Sequence, residues 1–481
     1  MSQTKNNETV IINNVNETKK KLFEFPHAYV ILLSLALFVA LLSYIVPAGS
    51  FDRVVDAVTK KTLVLPGSYH QIAQTPVQIG TFVKSIHAGF VEAAYLIFFI
   101  FFAYFYIFTV LKSGSMNGAI RKLIEVTKDR VELVIPIFMI FFGVLGTTCG
   151  SFEATYGLIP VFVGIAIALG YDAIVGLCMV EMAVLLGYST PTINPFTLGL
   201  AQTIAELPLF SGLGFRIFAF IITISVGIWF TMRYAKRIKA NPKESLVYGM
   251  NFGDLAISKD DLMNAPFNIR NKIIMSGFIF TMVMLAVGAL KLKWYISEFA
   301  TLFLVMGVIN GLIAGWRPSK IADIFVEACA GMVFGAFVVG VARSILLVMN
   351  AGNITDTIIY SISQPLQKLP SALTAQGMLI VQTIINFFIS SGSGQAATIM
   401  PLMTPLSDLV GVNRQVAVLA FNFGDGVSNL FWPTNQTLIF CAIAKIPFGK
   451  WYKFFLPLAG ILIVTHMILL GVAQAINLGP F

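Results

Sequence analysis

The chain has 481 residues, of which 57% are hydrophobic and only 11% are charged, and it carries a net charge of +9. Its mean hydropathy of +0.83 leaves too little polar surface to cover a soluble globule, so the composition excludes a soluble protein. Nucleic-acid binding is also excluded, because the basic residues collect in short segments beside apolar runs, as cytoplasmic membrane anchors do. These segments are 19–21, 121–130, 233–243, 317–320 and 445–453.

The N-terminal elements are a polar segment and a first membrane span. Residues 1–26 are predicted to be a mobile cytoplasmic N-terminus, and residues 27–46 form the first transmembrane helix. The Val-Pro-Ala sequence at 46–48 is similar to a signal-peptide cleavage site. The apolar run before it is longer than the roughly 7 to 15 residues of a signal peptide, so an uncleaved span is favoured.

The rest of the chain contains two halves that resemble each other. FVEAAYLIFFIFFAYF, from Phe90, is similar to FVEACAGMVFGAFVVG, from Phe325. Further landmarks recur in the same order: Pro160 with Pro401, Gly170 with Gly411, and the TPT of 190–192 with the WPT of 432–434. With the basic flanks inside, the first half starts outside and the second starts inside, so the copies are inverted. Inverted repeats with broken helices are the architecture of secondary transporters.

The predicted fold class is therefore an all-α polytopic membrane protein with two inverted-topology repeats, re-entrant hairpins and broken helices. Nine full spans plus two hairpins are expected, or thirteen spans if the hairpins cross fully. The N-terminus is expected in the cytoplasm and the C-terminus outside. The predicted segments are repeat 1 at 84–240, with a hairpin at about 131–170 and a broken helix at about 173–205; a linker with two connecting spans at 241–318; and repeat 2 at 319–481, with a hairpin at about 374–410 and a broken helix at about 413–445.

Two proline-containing segments predict helix breaks within the membrane. Pro191 and Pro195 each remove a backbone donor, so residues 187–194 are expected to be unwound. The freed carbonyls and amides would cost several kcal/mol in hydrocarbon unless they face protein or a water-filled cavity. A simple proline kink is the alternative, but hydroxyl and amide residues surround these prolines and recur in SNLFWPTNQT at 428–437. The breaks are therefore expected to line a polar site.

The hairpin tips supply the complementary half of each site. TTCGSFEAT at 147–155 and SSGSGQAAT at 390–398 place small and hydroxyl residues midway through apolar hairpins. Such tips turn tightly and offer oxygens and helix N-terminal amides to a ligand, although small residues also serve helix packing. Unwound carbonyls and hydroxyls suit a small cation, and inward-pointing amides suit a carboxylate.

Four ionisable residues are expected inside the spans, and each costs on the order of 3 kcal/mol at the bilayer centre unless it has a partner or a function. They are Glu153, Glu181, Asp425 and Arg343; Glu92 and Glu327 are expected at solvated span ends. The predicted substrate- or ion-binding residues are Thr148, Ser151, Glu153, Thr155, Ser189, Thr190, Thr192, Asn194, Ser391, Ser393, Gln395, Asp425, Asn429, Thr434 and Asn435, with Glu181 as a candidate coupling residue.

Several of these segments resemble one transporter family. They are residues 23–53, GSFEATYGLIP at 150–160, YSTPTINPFTLGLAQ at 188–202, SSGSGQAATIMPLMTPLSDLVGVNRQ at 390–415 and FNFGDGVSNLFWPTN at 421–435. The chain is similar to the YfcC-like branch of the anaerobic dicarboxylate carrier (DcuC-like) superfamily over about residues 20–478. The resemblance implies a basic amino acid or arginine/ornithine antiporter in the inner membrane. It also implies a homodimer and elevator-type movement, with the tips and breaks as binding elements.

The substrate and the coupling ion stay open at this stage. The tips here lack the Ser-Asn-Thr of sodium-coupled dicarboxylate carriers, a departure that argues against inherited sodium coupling. Na⁺ and H⁺ are both kept as candidate coupling ions. Glu153 and Asp425 supply anions for an ammonium or guanidinium group, which favours an amino acid over a dicarboxylate. Each acid is alternatively a proton carrier. No cofactor or metal is expected, since Cys149, Cys178, Cys329 and Cys441 lack metal-ligand spacing.

Two other classes of function are weighed against a carrier. An enzyme is disfavoured, because the sequence has no nucleophile–base or metal motif at membrane depth. A channel is disfavoured too, although broken helices and hairpins also build pores. The expected partners are a small-molecule substrate and the lipid bilayer.

Overall fold

A computed structural model describes residues 27–55, 62–118, 121–122, 128–150, 152–255, 268–292, 294 and 296–479. The predicted N-terminal segment 1–26 and the candidate ligand Ser151 lie outside these residues. Within them the chain is helical except for two small sheets, which confirms the all-α fold class. Six helices are long and apolar enough to cross a membrane by length and composition: Ala94–Lys112, Val131–Cys149, Leu213–Ala240, Ile296–Ile313, Pro318–Ala351 and Phe448–Ala475. The protein is therefore polytopic, while the count of nine spans stays a prediction.

The two halves present the same order of elements: a scaffold segment, a hairpin, a broken helix and a long last helix. The helices of the first half are α1 (Ala28–Leu42), α2 (Ile79–Glu92), α3 (Ala94–Lys112), α4 (Val134–Cys149), α5 (Ile159–Ala168), α6 (Ala173–Leu177), α7 (Ala183–Ser189), α8 (Leu200–Ile204) and α9 (Leu213–Ala240). The connecting helices are α10 (Ile269–Leu290) and α11 (Ile296–Ile313). The second half contains α12 (Pro318–Ala351), α13 (Thr355–Ser363), α14 (Ser371–Phe388), α15 (Gly392–Leu409), α16 (Arg414–Ser428), α17 (Gln436–Ile443) and α18 (Phe448–Ala475).

Shorter elements join these helices. Turns of 3₁₀ helix cover Lys128–Leu133, Phe152–Leu158, Pro242–Glu244, Gly253–Leu255 and Gln364–Lys368. Single π-helical turns cover Cys178–Met182, between α6 and α7, and Pro195–Gly199, before α8. One hairpin therefore consists of α4 and α5 joined by a 3₁₀ turn, and the other consists of α14 and α15.

The loop between α1 and α2 is folded rather than irregular. Its strands pair antiparallel in two sheets: β1 (Gly49–Ser50) with β4 (His70–Gln71), and β2 (Arg53–Val55) with β3 (Thr62–Val64). The Phe51 amide donates to the Asp356 carboxylate at 3.0 Å, and Arg53 forms a salt bridge with the same carboxylate at 2.7 Å. The loop is thereby fixed to α13 in the second half.

Two helix boundaries differ from the sequence expectation. The first span was expected at 27–46, but α1 ends at Leu42, where Gln74 folds back and donates to the carbonyls of Ser43 and Val46 at 2.8 and 2.9 Å. Repeat 1 was expected to begin at about residue 84, but its first helix begins at Ile79 and is interrupted at Ala93. The α2 segment packs so closely on α12 that a Cβ at Gly89 would lie 2.6 Å from the Gly340 carbonyl oxygen.

A buried carboxylate ties the linker after α9 to the first half. Asp172 caps the N-terminus of α6 by accepting from the Val175 amide at 3.0 Å. Its other oxygen accepts from Tyr234 at 2.6 Å and from Ser245 at 2.7 Å. The linker therefore covers the end of the α4–α5 hairpin region, opposite to the tip.

Candidate functional site

The first hairpin tip is hydrogen-bonded to the first helix break. Residues 190–194 are non-helical, a shorter break than the expected 187–194. The Thr147 hydroxyl donates to the Thr190 carbonyl at 2.5 Å, and the Thr192 amide donates to the Thr147 carbonyl at 2.8 Å. The helix continues to Ser189 because the hydroxyls of Ser189 and Thr190 both donate to the Leu186 carbonyl, at 2.7 and 3.0 Å. These hydroxyls therefore replace backbone donors at the break.

Two of the predicted ligands at this tip have structural roles. The Thr148 hydroxyl donates to Val144 within its own helix at 2.6 Å, so Thr147, one residue earlier, is the threonine that contacts the break. Asn194 caps the next helical turn, because its Oδ1 accepts from the amides of Phe196 and Thr197 at 2.8 and 3.3 Å. Gly150 has a φ of +66°, and a Cβ there would lie 2.2 Å from the Asn194 side chain, so the tip turn needs glycine.

Two carboxylates meet at the inner side of the first tip. Glu181 is fully buried in the π-helical turn and accepts a hydrogen bond from Thr155 at 2.8 Å. Its Oε1 has no hydrogen-bond partner among the described residues. Glu153 is half-buried and close enough to Glu181 for the two charges to interact. The predicted coupling residue therefore adjoins the predicted binding residue.

The second tip and the second break form a network of amides and hydroxyls. Asn386, on α14, donates to the Asp425 carbonyl at 2.9 Å, to Ser428 at 2.6 Å and to Asn429 at 3.2 Å. Asn429 also accepts from Asn435 at 3.0 Å, across the non-helical residues 429–435. The break is thus held open by side-chain hydrogen bonds between its two helical ends.

The remaining predicted residues of the second half divide into two groups. Ser391 caps α15 by accepting from the Gly394 amide at 3.2 Å, and Thr434 donates to Asn435 at 3.4 Å beside it. Gln395 instead points into the hairpin, where it donates to the Gln382 side chain at 2.8 Å. Ser393 is half-buried on the first turn of α15.

The two halves meet at Asp425. Its carboxylate is buried, and its hydrogen-bonding neighbours in the described part of the chain are two neutral side chains, those of Tyr188 and Asn429. A Cβ at Gly392 would lie 2.8 Å from Asp425 Oδ2 and 2.1 Å from the Tyr188 hydroxyl. The second tip, the first break and the second break therefore all border the space around Gly392 and Asp425.

Further contacts join the first tip to the second break and to the Tyr188 side of this space. The Phe152 ring lies against that of Tyr188, with centroids 5.0 Å apart. The Tyr156 hydroxyl donates to Gln436, at the start of α17. The two tips and the two breaks thus form one continuous cluster.

Two cavities open beside the second tip. The inner cavity, of about 90 Å³, lies between the α2–α3 interruption, α12 and the second tip. Its polar lining includes Glu92, Tyr95, Arg343, Ser391, Asn435 and Gln436. The vestibule, of about 520 Å³, extends from the same place toward the β1–β2 loop and α13. Arg343 and Ser391 line both cavities.

Sequence reasoning missed a buried cation. Arg343 was taken as the intramembrane cation near the breaks, but Arg216, near the start of α9, is also almost fully buried. Its guanidinium donates to Asn422 at 3.1 Å and to Gln415 at 3.0 Å, both on the helix that carries Asp425. The signal was a single basic residue inside an otherwise apolar run.

The two carboxylates expected at solvated span ends are both in ion pairs. Arg343 pairs with Glu92 at 3.0 Å, and Lys112 pairs with Glu327 at 2.8 Å. Each pair joins a helix of the first half to α12. All four side chains remain about half-exposed, so they lie near the surface of the protein chain.

The sequence matches one carrier family and two curated proteins along nearly its whole length. The profile of the family described as C4-dicarboxylate anaerobic carrier matches residues 25–475. A protein of Escherichia coli K12 named "Putative basic amino acid antiporter YfcC" is 32% identical, over 93% of this chain and 96% of its own. A Haemophilus influenzae protein described as uncharacterized is 29% identical, over 94% of this chain and 98% of its own.

Two solved structures are similar at lower identity. The YdaH transporter of Alcanivorax borkumensis is 15% identical, with a TM-score of 0.45, over 95% of this chain and all of that chain. MtrF of Neisseria gonorrhoeae, described within a class of antimetabolite efflux pumps, is 17% identical, with a TM-score of 0.45, over 94% of this chain and 96% of that chain.

Proposed function

Because the chain belongs to the C4-dicarboxylate anaerobic carrier family, and is a membrane transporter, we propose that it moves a small amino acid by secondary active transport. The proposed substrate is basic, such as arginine or ornithine, and it moves by exchange or by ion coupling. The name of the E. coli relative, which describes a basic amino acid antiporter, supports this choice. The cluster of two hairpin tips and two helix breaks around three carboxylates also supports this choice.

The carboxylates argue for a cationic substrate. Glu153, Glu181 and Asp425 belong to this cluster; Glu181 Oε1 has no hydrogen-bond partner among the described residues, and the described hydrogen-bonding neighbours of Asp425 carry no positive charge. An unpaired carboxylate in a low-dielectric interior is costly, so each needs a proton or a cation. Arg216 is engaged by neutral amides and Arg343 by Glu92, so neither arginine pairs with these three acids. The ammonium and guanidinium of a basic amino acid would supply the missing positive charge.

A dicarboxylate is the second candidate, and a specific observation favours it. Arg343 lines the inner cavity together with hydroxyl and amide groups of the second tip and break. Such donors suit a carboxylate, and the family is described by its C4-dicarboxylate carriers. In this case the three acids would carry protons rather than bind the substrate.

Alternating access by an elevator-type movement is the proposed mechanism. The hairpins and broken helices would carry the substrate past a scaffold of α2, α3 and α12. Supporting this division, the inner cavity and the vestibule lie along the boundary between the second hairpin and the scaffold. The homodimer, the cytoplasmic N-terminus and coupling to Na⁺ or H⁺ stay part of the proposal.

Counterflow in proteoliposomes tests the function directly. Vesicles loaded with arginine, ornithine, lysine or a dicarboxylate are diluted into labelled substrate, with and without a sodium or proton gradient. We expect saturable uptake that requires a basic amino acid inside. Uptake that requires a dicarboxylate inside would favour the second candidate, and conductance without exchange would indicate a channel.

A further inference from the structure

Arg343 occupies the junction between the vestibule and the inner cavity. It lies on α12, where the close packing of α2 on α12 holds Glu92 opposite to it. The Arg343 Nε donates to Glu92 Oε2 at 3.0 Å, and the hydrogen bonds of the described residues use no other nitrogen of this guanidinium. A solute that passes from the vestibule into the inner cavity therefore passes Arg343.

The Arg343–Glu92 pair is suited to exchange partners. Its side chains are 38% and 44% exposed, and an ion pair at this exposure contributes little to stability. The two terminal nitrogens of an arginine form a planar fork that fits a carboxylate with two parallel hydrogen bonds. A substrate carboxylate would thus form a better pair with Arg343 than Glu92 does through Nε alone.

The surroundings fit the two ends of an amino acid. The inner cavity, of about 90 Å³, brings Arg343 and Glu92 together with polar groups of the second tip and break, Ser391 and Asn435. Tyr95 lines this cavity together with Arg343 and Glu92. A cation and an acid therefore border the same small space, as the carboxylate and the ammonium group of an amino acid require.

We propose that Arg343 is the receptor for the substrate's carboxylate, and that binding releases Glu92 to pair with the substrate's ammonium group. This assignment rests on the proposed function, since it takes the substrate to be an amino acid. It makes Arg343 and Glu92 specificity-determining residues that select solutes with a free carboxylate. No covalent step is involved.

A purely structural ion pair is the competing explanation, and the chain provides a matched control. Lys112 and Glu327 also join a first-half helix to α12, at 2.8 Å and with similar exposure. Neither residue lines the inner cavity or the vestibule. If the Arg343–Glu92 pair only joined two helices, Lys112→Gln and Arg343→Gln should therefore have the same effect.

The test compares counterflow by wild type, Arg343→Gln, Arg343→Lys and Lys112→Gln. Competing solutes are arginine, argininamide, whose carboxylate is capped, and agmatine, which lacks it. We expect wild type to prefer arginine over both analogues by at least about tenfold, the usual effect of losing a charge-assisted hydrogen bond. Arg343→Gln should raise the KM for arginine by a similar factor and remove the preference, Arg343→Lys should lie between, and Lys112→Gln should match wild type.

The outcomes separate this inference from the proposed function. If Arg343→Gln keeps the wild-type KM and preference, or if Lys112→Gln changes equally, Arg343 is not the receptor although amino acid exchange stands. If wild type exchanges only dicarboxylates, the proposed function fails, and the KM of a dicarboxylate in Arg343→Gln then decides the role of Arg343. Exchange of neither class would overturn both. Monodisperse elution in detergent establishes that each variant is folded.

Discussion

The hydroxyl residues and the carboxylates of the cluster differ in what they bond to. Ser189, Thr190 and Thr147 donate to the Leu186 and Thr190 carbonyls, at the point where the regular helix stops. These bonds remove most of the several kcal/mol that unpaired backbone groups would cost in hydrocarbon. Glu181 instead keeps one oxygen without a hydrogen-bond partner in the part of the chain that the structure describes, and Asp425 is buried there beside the neutral side chains of Tyr188 and Asn429. The hydroxyls therefore maintain the shape of the site, and the acids are the stronger candidates for contact with solutes.

Replacing Glu153 with Gln tests the role of the carboxylate at the first tip. Glutamine keeps the size and hydrogen-bonding capacity of the side chain but removes the charge that would bind a cationic substrate. We expect a loss of at least about tenfold in the rate of arginine exchange, corresponding to one charge-assisted interaction. Counterflow in proteoliposomes measures the rate, and the thermal unfolding midpoint in detergent should stay within a few degrees of wild type.

The control for this prediction is Glu327→Gln. It also removes one partly exposed carboxylate, but that carboxylate pairs with Lys112 away from both tips. Its exchange rate should equal that of wild type. Full activity in Glu153→Gln would remove this residue from the site.

Several roles at the site could be assigned from the sequence only to within a turn of helix. The sequence predicted Thr148 of the first tip as a binding residue, whereas Thr147 contacts the break. The two differ by about 100° around the helix, and only packing selects between them. Arg216 was missed because a single basic residue near a span end is typical of a solvated anchor. Its burial depends on Asn422 and Gln415, which are about 200 residues away in the chain.

The helix breaks are the elements on which the cluster depends, and they cross at one close contact. A Cβ at Gly426, in α16, would lie 2.2 Å from the Cα of Ser189, at the end of α7. The obstructing atoms belong to the backbone, so a side chain at position 426 must push the two broken helices apart. This contact lets Tyr188 and Asp425 both approach Gly392 of the second tip.

Gly426→Ala should therefore separate the two breaks. Overpacking at a contact of this kind typically costs about 1–3 kcal/mol, because backbone has to move. We expect a lower unfolding temperature together with a marked loss of exchange. Gly460→Ala is the control, since Gly460 is also helical but has open space where its Cβ would lie, and it should behave like wild type. If Gly426→Ala were as stable and active as wild type, the close crossing would not be needed for the site.

The helix interruptions were predictable because their signals are local. Each proline-containing segment marks one break, and the structure interrupts its helices at 190–194 and 429–435, within those two segments. The length of the first break was not predictable, because it depends on side-chain hydroxyls that bond to Leu186 and keep Ser189 helical. The interruption at Ala93 has no proline or glycine signal and reflects packing of α2 on α12.

Taken together, the protein has a scaffold side and a hairpin side, with the two cavities between them. The vestibule is lined on one side by Leu346 and Asn350 of α12 and on the other by Gly394 and Thr398 of α15. In the proposed elevator movement, the hairpins and breaks shift as one body along α12. Residues that line the same cavity from opposite sides would then separate during every transport cycle.

Cross-linking across the vestibule tests whether this separation is required. In Leu346→Cys/Thr398→Cys, a short bifunctional thiol reagent should join α12 to α15, because both positions line one cavity of about 520 Å³. We expect the reagent to abolish counterflow in the double variant and to leave each single variant active. The single variants also control for the native cysteines, of which Cys149, Cys178 and Cys441 are buried and Cys329 is partly exposed. Undiminished exchange by fully cross-linked protein would mean that α12 and α15 do not move apart, and the elevator mechanism would have to be replaced by local opening of the tips.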